Sequence, residues 1–361
     1  MYKYEEIKQI HLEITSRCNA TCPQCPRNIS GGRLNPNLPI TDLTLADITT
    51  IFPDDFIKQL DFIFLCGNYG DPMMARDTIE VLEYFRECNP EIRLAIHSNA
   101  SGRPSSWWKR LARVVTYCRF SIDGLEDTNH IYRRGTDWDK IMESVAAYIN
   151  AGGVAEWDFI VFHHNEHQVN RALELSQRLG FRKFFLKKTI RFYDSSTGSE
   201  VARQAVLDRE GNIEYFIEPP HKREFHNESV SGLIQIVSNR DEYNAYLDQT
   251  CIECKALAVN RLYISAEGIA FPCCFTASIY QSNQSCGLGE IWRLIKQLPE
   301  GKDSINTKLH PIKEIVNGPF FQDYIPKLWG RNSIAEGKLE TCSRVCGSYP
   351  LYSGQATTVL M

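Results

Sequence analysis

The sequence predicts an α/β fold, a partial (β/α)6 barrel of the TIM-barrel kind followed by a small C-terminal β-hairpin plus helix extension. Strand-like and helix-like segments alternate through the first half of the chain, which favours a parallel sheet covered by helices. Six such units are too few to close an eight-unit barrel. Further along, cysteines flank a glycine-centred hairpin pattern, which predicts a separate, smaller unit.

The six predicted strands are short apolar runs, separated by segments with helical periodicity. The strands are predicted at residues 9–15, 61–66, 93–98, 117–122, 156–162 and 183–187. The helices are predicted at residues 44–51, 76–87, 105–112, 138–150 and 169–179. Glycines at 152, 153 and 180 follow two of these helices, where glycine commonly ends a helix. In such a barrel the functional groups lie at the C-terminal ends of the strands.

Three segments follow from these patterns. Residues 1–190 are predicted to form the partial barrel, 191–250 an insert, and 251–361 the C-terminal extension. Within the insert, a loop at 194–198 and a hairpin at 206–217 are predicted, because turn-forming residues interrupt two strand-like runs. We expect the insert to bridge the mouth of the barrel; a surface linker is the alternative.

Composition excludes several functional classes. The chain has 361 residues and a net charge of −4, so no basic field recruits nucleic acid. Neither a signal peptide nor an apolar run of ~18 residues is present, which predicts a cytoplasmic protein without membrane contact. In that reducing compartment, 13 cysteines are more often metal ligands or buried thiols than disulfides.

Cys18, Cys22 and Cys25 follow the first predicted strand with C-x3-C-x2-C spacing. Three thiolates on one tight loop can hold three corners of a [4Fe-4S] cluster and leave the fourth iron open to a ligand. A zinc knuckle or three unrelated thiols are the alternatives. Zinc sites more often have two C-x2-C pairs or added histidines, and the nearest histidine, His11, lies within the predicted strand.

This loop, placed directly after the first barrel strand, resembles that of the radical S-adenosylmethionine (SAM) enzymes. The resemblance implies that the open iron of the cluster chelates SAM. It also implies that an electron, delivered by reduced flavodoxin or ferredoxin, splits SAM into methionine and a 5'-deoxyadenosyl radical, which abstracts hydrogen from a substrate.

Short motifs after the next strands resemble the SAM-binding segments of that family. Gly70 and Asp71, followed by proline, are similar to the end of its Gly-Gly-Glu-Pro loop, with Asp for Glu. Ser98 and Asn99 lie where the family has Thr-Asn-Gly. The resemblance implies that these residues contact SAM, with the Asp71 carboxylate suited to its ammonium group.

The fourth strand ends in a Ser-Ile-Asp-Gly segment that closely resembles the family's, containing Ser121 and Asp123. Arg133 or Arg134, downstream, is implied to pair with the methionine carboxylate of SAM. Gln24 departs from the family, which usually has a bulky residue before the third cysteine; its amide can still hydrogen-bond adenine.

The second cysteine set resembles the SPASM and twitch extensions of radical SAM enzymes, which bind an auxiliary [4Fe-4S] cluster. A hairpin predicted at 257–272 lies between its pairs. The candidate ligands are Cys251, Cys254, Cys273, Cys342 and Cys346, with Cys274 and Cys286 as weaker candidates. We predict one auxiliary cluster, in which Cys251 or Cys342 is the fourth ligand. Zinc held by the same cysteines is the alternative.

The resemblance implies a radical enzyme, most often one that modifies ribosomally made peptides by excision, crosslinking, oxidation or epimerisation. A small-molecule dehydrogenase acting on polyols or amino sugars, and a non-catalytic iron–sulfur or zinc scaffold, are the alternatives. Three histidines at 163–167 suggest a metal, although a polar loop more often explains such a cluster. Because only 17 residues precede Cys18, we expect any leader recognition to come from a separate partner protein.

Overall fold

The computed structural model describes residues 1–194, 199–280, 288–348 and 356–360. Its centre is a sheet whose first six strands run parallel in sequence order, β1 to β6. These strands are β1 Gln9–Leu12, β2 Phe62–Leu65, β3 Arg93–Ser98, β4 Tyr117–Ser121, β5 Ala155–Val161 and β6 Lys183–Lys188. This parallel sheet confirms the predicted α/β class and the partial barrel.

Helices cover the outer face of the sheet. They are α1 Leu45–Ile51, α2 Asp54–Gln59, α3 Thr78–Cys88, α4 Ser105–Val114, α5 Asn129–Tyr132, α6 Trp138–Asn150 and α7 Val169–Leu179. Local sequence sets their ends: Thr44 and Asp47 form a capping box at the start of α1, and Gly180, with φ +88°, ends α7. The alternation predicted from the sequence is therefore present, with shifts of a few residues at the boundaries.

The insert contains two small hairpins and two helices among its described residues. Their bounds are β7 Tyr193–Asp194, β8 Ser199–Glu200, β9 Gln204–Leu207, β10 Ile213–Ile217, α8 Glu228–Ile236 and α9 Arg240–Asp248. The hairpin predicted at 206–217 is thus present as β9 and β10. The polar stretch that follows the hairpin, up to residue 239, contains α8. Residues 195–198 of the predicted loop lie outside the described residues.

The C-terminal extension adds strands to both edges of the central sheet. Its elements are α10 Lys255–Ala258, β11 Arg261–Ile264, β12 Ala270–Phe271, α11 Leu288–Ile295, α12 Ile312–Asn317, α13 Ile325–Trp329, α14 Glu340–Cys346 and β13 Ala356–Val359. β11 pairs in parallel with β1, and β12 pairs antiparallel with β11. β13 pairs antiparallel with β6. The predicted hairpin is shorter than expected, because residues 255–258 form a helical turn.

One continuous apolar core joins the barrel to the extension. Trp108 and Trp157 are fully buried beside the barrel helices, and Leu262 and Phe271 of the extension belong to the same cluster. No helix among the described residues is long and apolar enough to cross a membrane. The boundaries between the three predicted segments stay a prediction.

Candidate active site

The three cysteines of the first motif lie on the loop that leaves β1 at its C-terminal end. Cys22 is buried, and Cys18 and Cys25 are partly buried. The backbone N–H of Cys25 donates to the carbonyl of Cys22 at 3.0 Å, which tightens the loop. Burial raises the pKa of the Cys22 thiol to about 11, against the opposing effect of Arg133. Such thiols lose their protons when a metal binds them.

The spacing of the thiols distinguishes a cluster from a single zinc ion. Tetrahedral zinc with Zn–S bonds of about 2.3 Å holds its sulfur atoms about 3.8 Å apart. No three cysteine thiols among the described residues come within 4.8 Å of one another. In a [4Fe-4S] cluster each thiolate binds a different iron, which requires wider spacing. The donor set therefore fits a cluster better than zinc.

A network around Asp71 connects the loop after β2 to the cysteines. The two carboxylate oxygens of Asp71 accept from the backbone N–H groups of Met73 at 3.1 Å and Asn99 at 2.7 Å. The Asn99 side-chain nitrogen lies 3.7 Å from the Cys18 sulfur. Gly70 must be a glycine, because a Cβ there would lie 1.8 Å from the carbonyl oxygen of Thr15. Predicted residues from β2, β3 and the cysteine loop therefore meet here.

Ser98 is buried in the same network. Its hydroxyl accepts from the backbone N–H of Ala100 at 3.0 Å and contributes a hydrogen bond to Asp71. Burial raises the pKa of Asp71, and its hydrogen bonds oppose that effect. A carboxyl group held in this way is oriented for a cationic partner.

Arg133 and Asp123 form a second pair beside the cysteines. Nε of Arg133 donates to Asp123 at 2.6 Å, and its Nη1 lies 3.8 Å from the Cys22 sulfur. Burial opposes the charged form of Arg133, yet Asp123 and Cys22 hold the pKa of the guanidinium above its usual value. Ser121, the last residue of β4, is half-buried.

Arg134 lies apart from this pair. Its Nη1 donates to the carbonyl oxygens of Gly31 at 3.1 Å and Leu207 at 2.7 Å, and its Nη2 pairs with Glu214. Arg134 therefore fastens the insert hairpin to the cysteine loop. Of the two arginines left open by the sequence, only Arg133 has a described contact with a cysteine sulfur.

Gln24 also meets the insert hairpin. Its Nε2 donates to Gln204 of β9 at 3.0 Å, and Gln204 donates to the carbonyl of Pro23 at 3.1 Å. The Oε1 of Gln24 is buried and accepts no hydrogen bond within the described part of the chain. Such an acceptor suits a ligand with an N–H donor.

Apolar residues of the insert enclose the cysteine loop. Val206 and Ile217 of the hairpin pack in one buried cluster with Cys22 and Phe162. The insert hairpin therefore packs against the cysteine loop, and its role as a bridge over the barrel mouth stays a prediction.

Glu13 is a buried site residue that the sequence did not reveal. Its Oε1 accepts from the backbone N–H groups of Tyr69 at 2.7 Å and Gly70 at 3.1 Å, and Tyr263 of β11 donates to its Oε2. Glu13 thereby holds the loop that carries Asp71. The only signal in the sequence is an acidic residue at the end of an apolar strand.

Inside the barrel, charged side chains face one another beneath the cysteine loop. Lys187 of β6 pairs with Asp158 of β5, and Arg119 of β4 pairs with Glu156 at 2.7 Å. Burial raises the pKa of the Cys66 thiol to about 12, and the positive charge of nearby Lys187 opposes that rise.

The structure gathers four cysteines of the second motif. Burial raises the pKa of Cys342, and Cys273, Glu290 and Cys254 add to that rise in this order. Cys254 also raises the pKa of Cys346. Cys251 is exposed, and its backbone N–H donates to the hydroxyl of Ser348 at 3.0 Å. Of the two candidates for fourth ligand, Cys342 therefore lies with the others.

Cys274 and Cys286 are the weaker candidate ligands for the second cluster. Burial is the main cause of the raised pKa of Cys274, and the next largest causes are the nearby thiols of Cys273 and Cys66. Cys274 therefore lies between the second cysteine set and Cys66 of the barrel. Cys286 lies outside the described residues.

A family model matches the part of the chain that contains these residues. Residues 12–175 match the model of the radical SAM superfamily. The chain carries a radical SAM domain. Cys18, Cys22 and Cys25, the Asp71–Asn99 network and the Arg133–Asp123 pair all lie within the matched residues. Radical SAM domains are those of SAM-dependent radical enzymes, and the family implies a [4Fe-4S] cluster and SAM.

Solved structures share the fold of this chain. SuiB of Streptococcus suis, bound to its precursor peptide SuiA, is 16% identical with a TM-score of 0.50. The match covers 78% of this chain and 63% of SuiB, so the chain spans less than two thirds of SuiB's length. The enzyme anSMEcpe with bound AdoMet is 15% identical with a TM-score of 0.52, over 94% of this chain and 88% of the other. These likenesses show the fold alone.

Proposed function

We propose that this radical SAM protein cleaves SAM and abstracts hydrogen from a ribosomally made peptide, which it modifies after translation. One observation carries the proposal. Cys18, Cys22 and Cys25 converge with the Asp71–Asn99 network and the Arg133–Asp123 pair at one end of the sheet. This arrangement combines three cysteine ligands for a cluster with a carboxylate, which suits an ammonium group, and a guanidinium, which suits a carboxylate. SAM carries both of these charged groups on its methionine part.

When bound, the cluster and SAM supply an electron transfer that releases methionine and a 5'-deoxyadenosyl radical, which takes hydrogen from the substrate. The residues of this chain bind and orient. Asp71 would receive the ammonium group of SAM, and the planar guanidinium of Arg133 would receive its carboxylate. Asn99 and Ser121 offer hydrogen bonds to the ribose, and Gln24 offers its unpaired oxygen to the amino group of adenine.

The insert would keep water from the radical. Val206 and Ile217 pack around Cys22 together with Phe162, so the cluster site has an apolar wall. Excluding water prevents side reactions of a reactive intermediate.

A peptide substrate has two supports. SuiB was crystallised with its precursor peptide SuiA, and anSMEcpe, 14% identical with a TM-score of 0.50 over 94% of this chain and 88% of the other, with a peptide called Cp18Cys. In this chain, β10 has one hydrogen-bonded strand neighbour among the described residues, β9. Ile213 and Phe216 of β10 are exposed on it. An unpaired edge with exposed apolar side chains suits an extended peptide.

Cys254, Cys273, Cys342 and Cys346 are proposed to hold one auxiliary [4Fe-4S] cluster. Together they supply four thiolates, and no three of them are close enough for a zinc ion. The cluster would accept an electron from the substrate or bind it. A reduced flavodoxin or ferredoxin and a separate leader-binding protein are the proposed partners.

Deuterium transfer tests the substrate. The cluster-loaded enzyme is incubated with SAM, dithionite and a deuterated candidate precursor peptide, and deuterium in the released 5'-deoxyadenosine is measured by mass spectrometry. We expect transfer from the peptide and none from a deuterated polyol or amino sugar. Transfer only from the small molecules would replace the peptide by the alternative substrate class, and intact SAM would contradict the proposal altogether.

A further inference from the structure

The loop after β5 meets the end of β10 in a cluster of nitrogen and oxygen ligands away from the cysteines. Ligand atoms of His163, Glu218 and His221 all lie within 4.8 Å of one another. We propose that these three residues bind a zinc ion that fastens the insert hairpin to the barrel. This site is independent of the proposed function.

The ligand chemistry favours a first-row transition metal. Two imidazoles and one carboxylate form a common zinc donor set, with a fourth position left for water. The rings of His163 and His221 stack with centroids 3.5 Å apart, and Nε2 of His221 lies 3.2 Å from Glu218. Both rings are exposed, so they can turn about their side-chain bonds to aim one lone pair each at a shared ion.

The carboxylate of Glu166 orients the imidazole ring of His163. Oε1 of Glu166 lies 3.5 Å from Nδ1 of His163, and its Oε2 accepts from the backbone N–H of Lys222 at 3.0 Å. A carboxylate behind a ligating histidine fixes the ring orientation and raises its basicity. Glu166 is buried, so its position is set by the fold.

A backbone hydrogen bond joins the loop after β5 to the end of β10. The N–H of His163 donates to the carbonyl of Glu218 at 3.2 Å, although the two residues are far apart in sequence. Phe162, next to His163, belongs to the apolar cluster around Cys22. Zinc at this junction would therefore hold the hairpin against the cysteine loop. His163 and His221 are exposed, so the ion can enter from solvent.

Zinc binding to the cluster-loaded enzyme tests the proposal. The protein is dialysed against zinc chloride, and bound zinc and iron are counted together, so that replacement of iron is recognised. The variants His163→Phe and His221→Phe keep a ring but remove the lone pairs. The control His167→Phe changes a neighbouring exposed histidine that is not in the group.

We expect one zinc per wild-type chain with iron unchanged, an affinity lower by about 10-fold or more in His163→Phe and His221→Phe, and no loss in His167→Phe. Zinc should also slow proteolysis of the insert hairpin in the wild type and in the control only. Absence of bound zinc, or equal binding by all three variants, would overturn the proposal.

Discussion

Glu13 makes the stability of this protein depend on pH. Burial raises its pKa to about 7 from an ordinary value of 4.5, and hydrogen bonds from Tyr263, Tyr69 and Gly70 oppose the rise. Below about pH 4.5 the carboxyl is protonated in folded and unfolded chains alike. Between about pH 4.5 and 7 only the unfolded chain gives up the proton, so stability falls by about 3 kcal/mol and stays lower above pH 7.

We therefore expect the free energy of unfolding of the wild type, minus that of Glu13→Gln, to decrease between pH 5 and pH 8. The glutamine cannot ionise, so the variant lacks this contribution while retaining every other titrating group. Anaerobic urea unfolding of both proteins at the two pH values measures it. Parallel pH profiles for the two proteins would show that Glu13 does not carry the effect.

Arg133 and Arg134 are a matched pair for testing SAM binding. Arg133→Lys removes the planar fork beside Cys22 while keeping the charge that compensates Asp123. We expect SAM affinity to fall about 10-fold, since a hydrogen bond to a charged group contributes about 1.5–3 kcal/mol. Arg134→Lys should leave SAM affinity unchanged. Equilibrium dialysis with labelled SAM measures both, and equal losses would remove Arg133 from the SAM site.

Single residues show how far the sequence predicts the site. The spacing of the three cysteines makes them candidates, and Asp71 is a candidate because its loop resembles the Gly-Gly-Glu-Pro segment of the family. Glu13 and Gln204 have no motif, because their partners Tyr263 and Gln24 lie far away along the chain. Contacts of that kind depend on the tertiary fold.

At the scale of elements, the insert hairpin β9–β10 closes on the cysteine loop through a glycine. A Cβ on Gly32 would lie 2.3 Å from the carbonyl oxygen of Asp208, which follows β9. Gly32→Ala must therefore displace the hairpin, at a cost of about 1–3 kcal/mol for overpacking. Gly289→Ala, whose Cβ would meet nothing within 4 Å, is the control.

We expect Gly32→Ala to lower the melting temperature and to speed the loss of bound iron in air, because the apolar wall around Cys22 opens. Gly289→Ala lies in α11, where alanine favours the helix, so it should not lower the melting temperature and should lose iron at the wild-type rate. Iron loss at the wild-type rate in Gly32→Ala would mean that the hairpin does not protect the cluster site.

The sequence predicts the barrel elements well and the extension less well. The strands β2 to β6 have clear apolar runs, whereas β11 is four residues long and pairs with β1 across some 250 residues of chain. The parallel pairing of β11 with β1 is a tertiary preference that local pattern does not encode. The sequence predicts that residues 257–258 begin a strand, but they form the last residues of α10.

On the scale of the whole molecule, the account assigns two separate sets of cysteines to two clusters. Cys273→Ala should lower the iron content from about eight to about four per chain. Cys251→Ala should keep about eight, because Cys251 is exposed whereas Cys342 and Cys346 are buried. Iron and sulfide counts after anaerobic reconstitution measure this. Loss of iron in Cys251→Ala but not in a Cys342→Ala variant would reverse the assignment of the fourth ligand.

The most direct test of the central claim is the release of 5'-deoxyadenosine from SAM under dithionite, by the wild type and by a Cys25→Ala variant. Cys88→Ala is the control, since Cys88 ends α3 on the outside of the barrel. The account predicts release by the wild type and by Cys88→Ala, and none by Cys25→Ala. Intact SAM with the iron-loaded wild type, or undiminished release by Cys25→Ala, would contradict it.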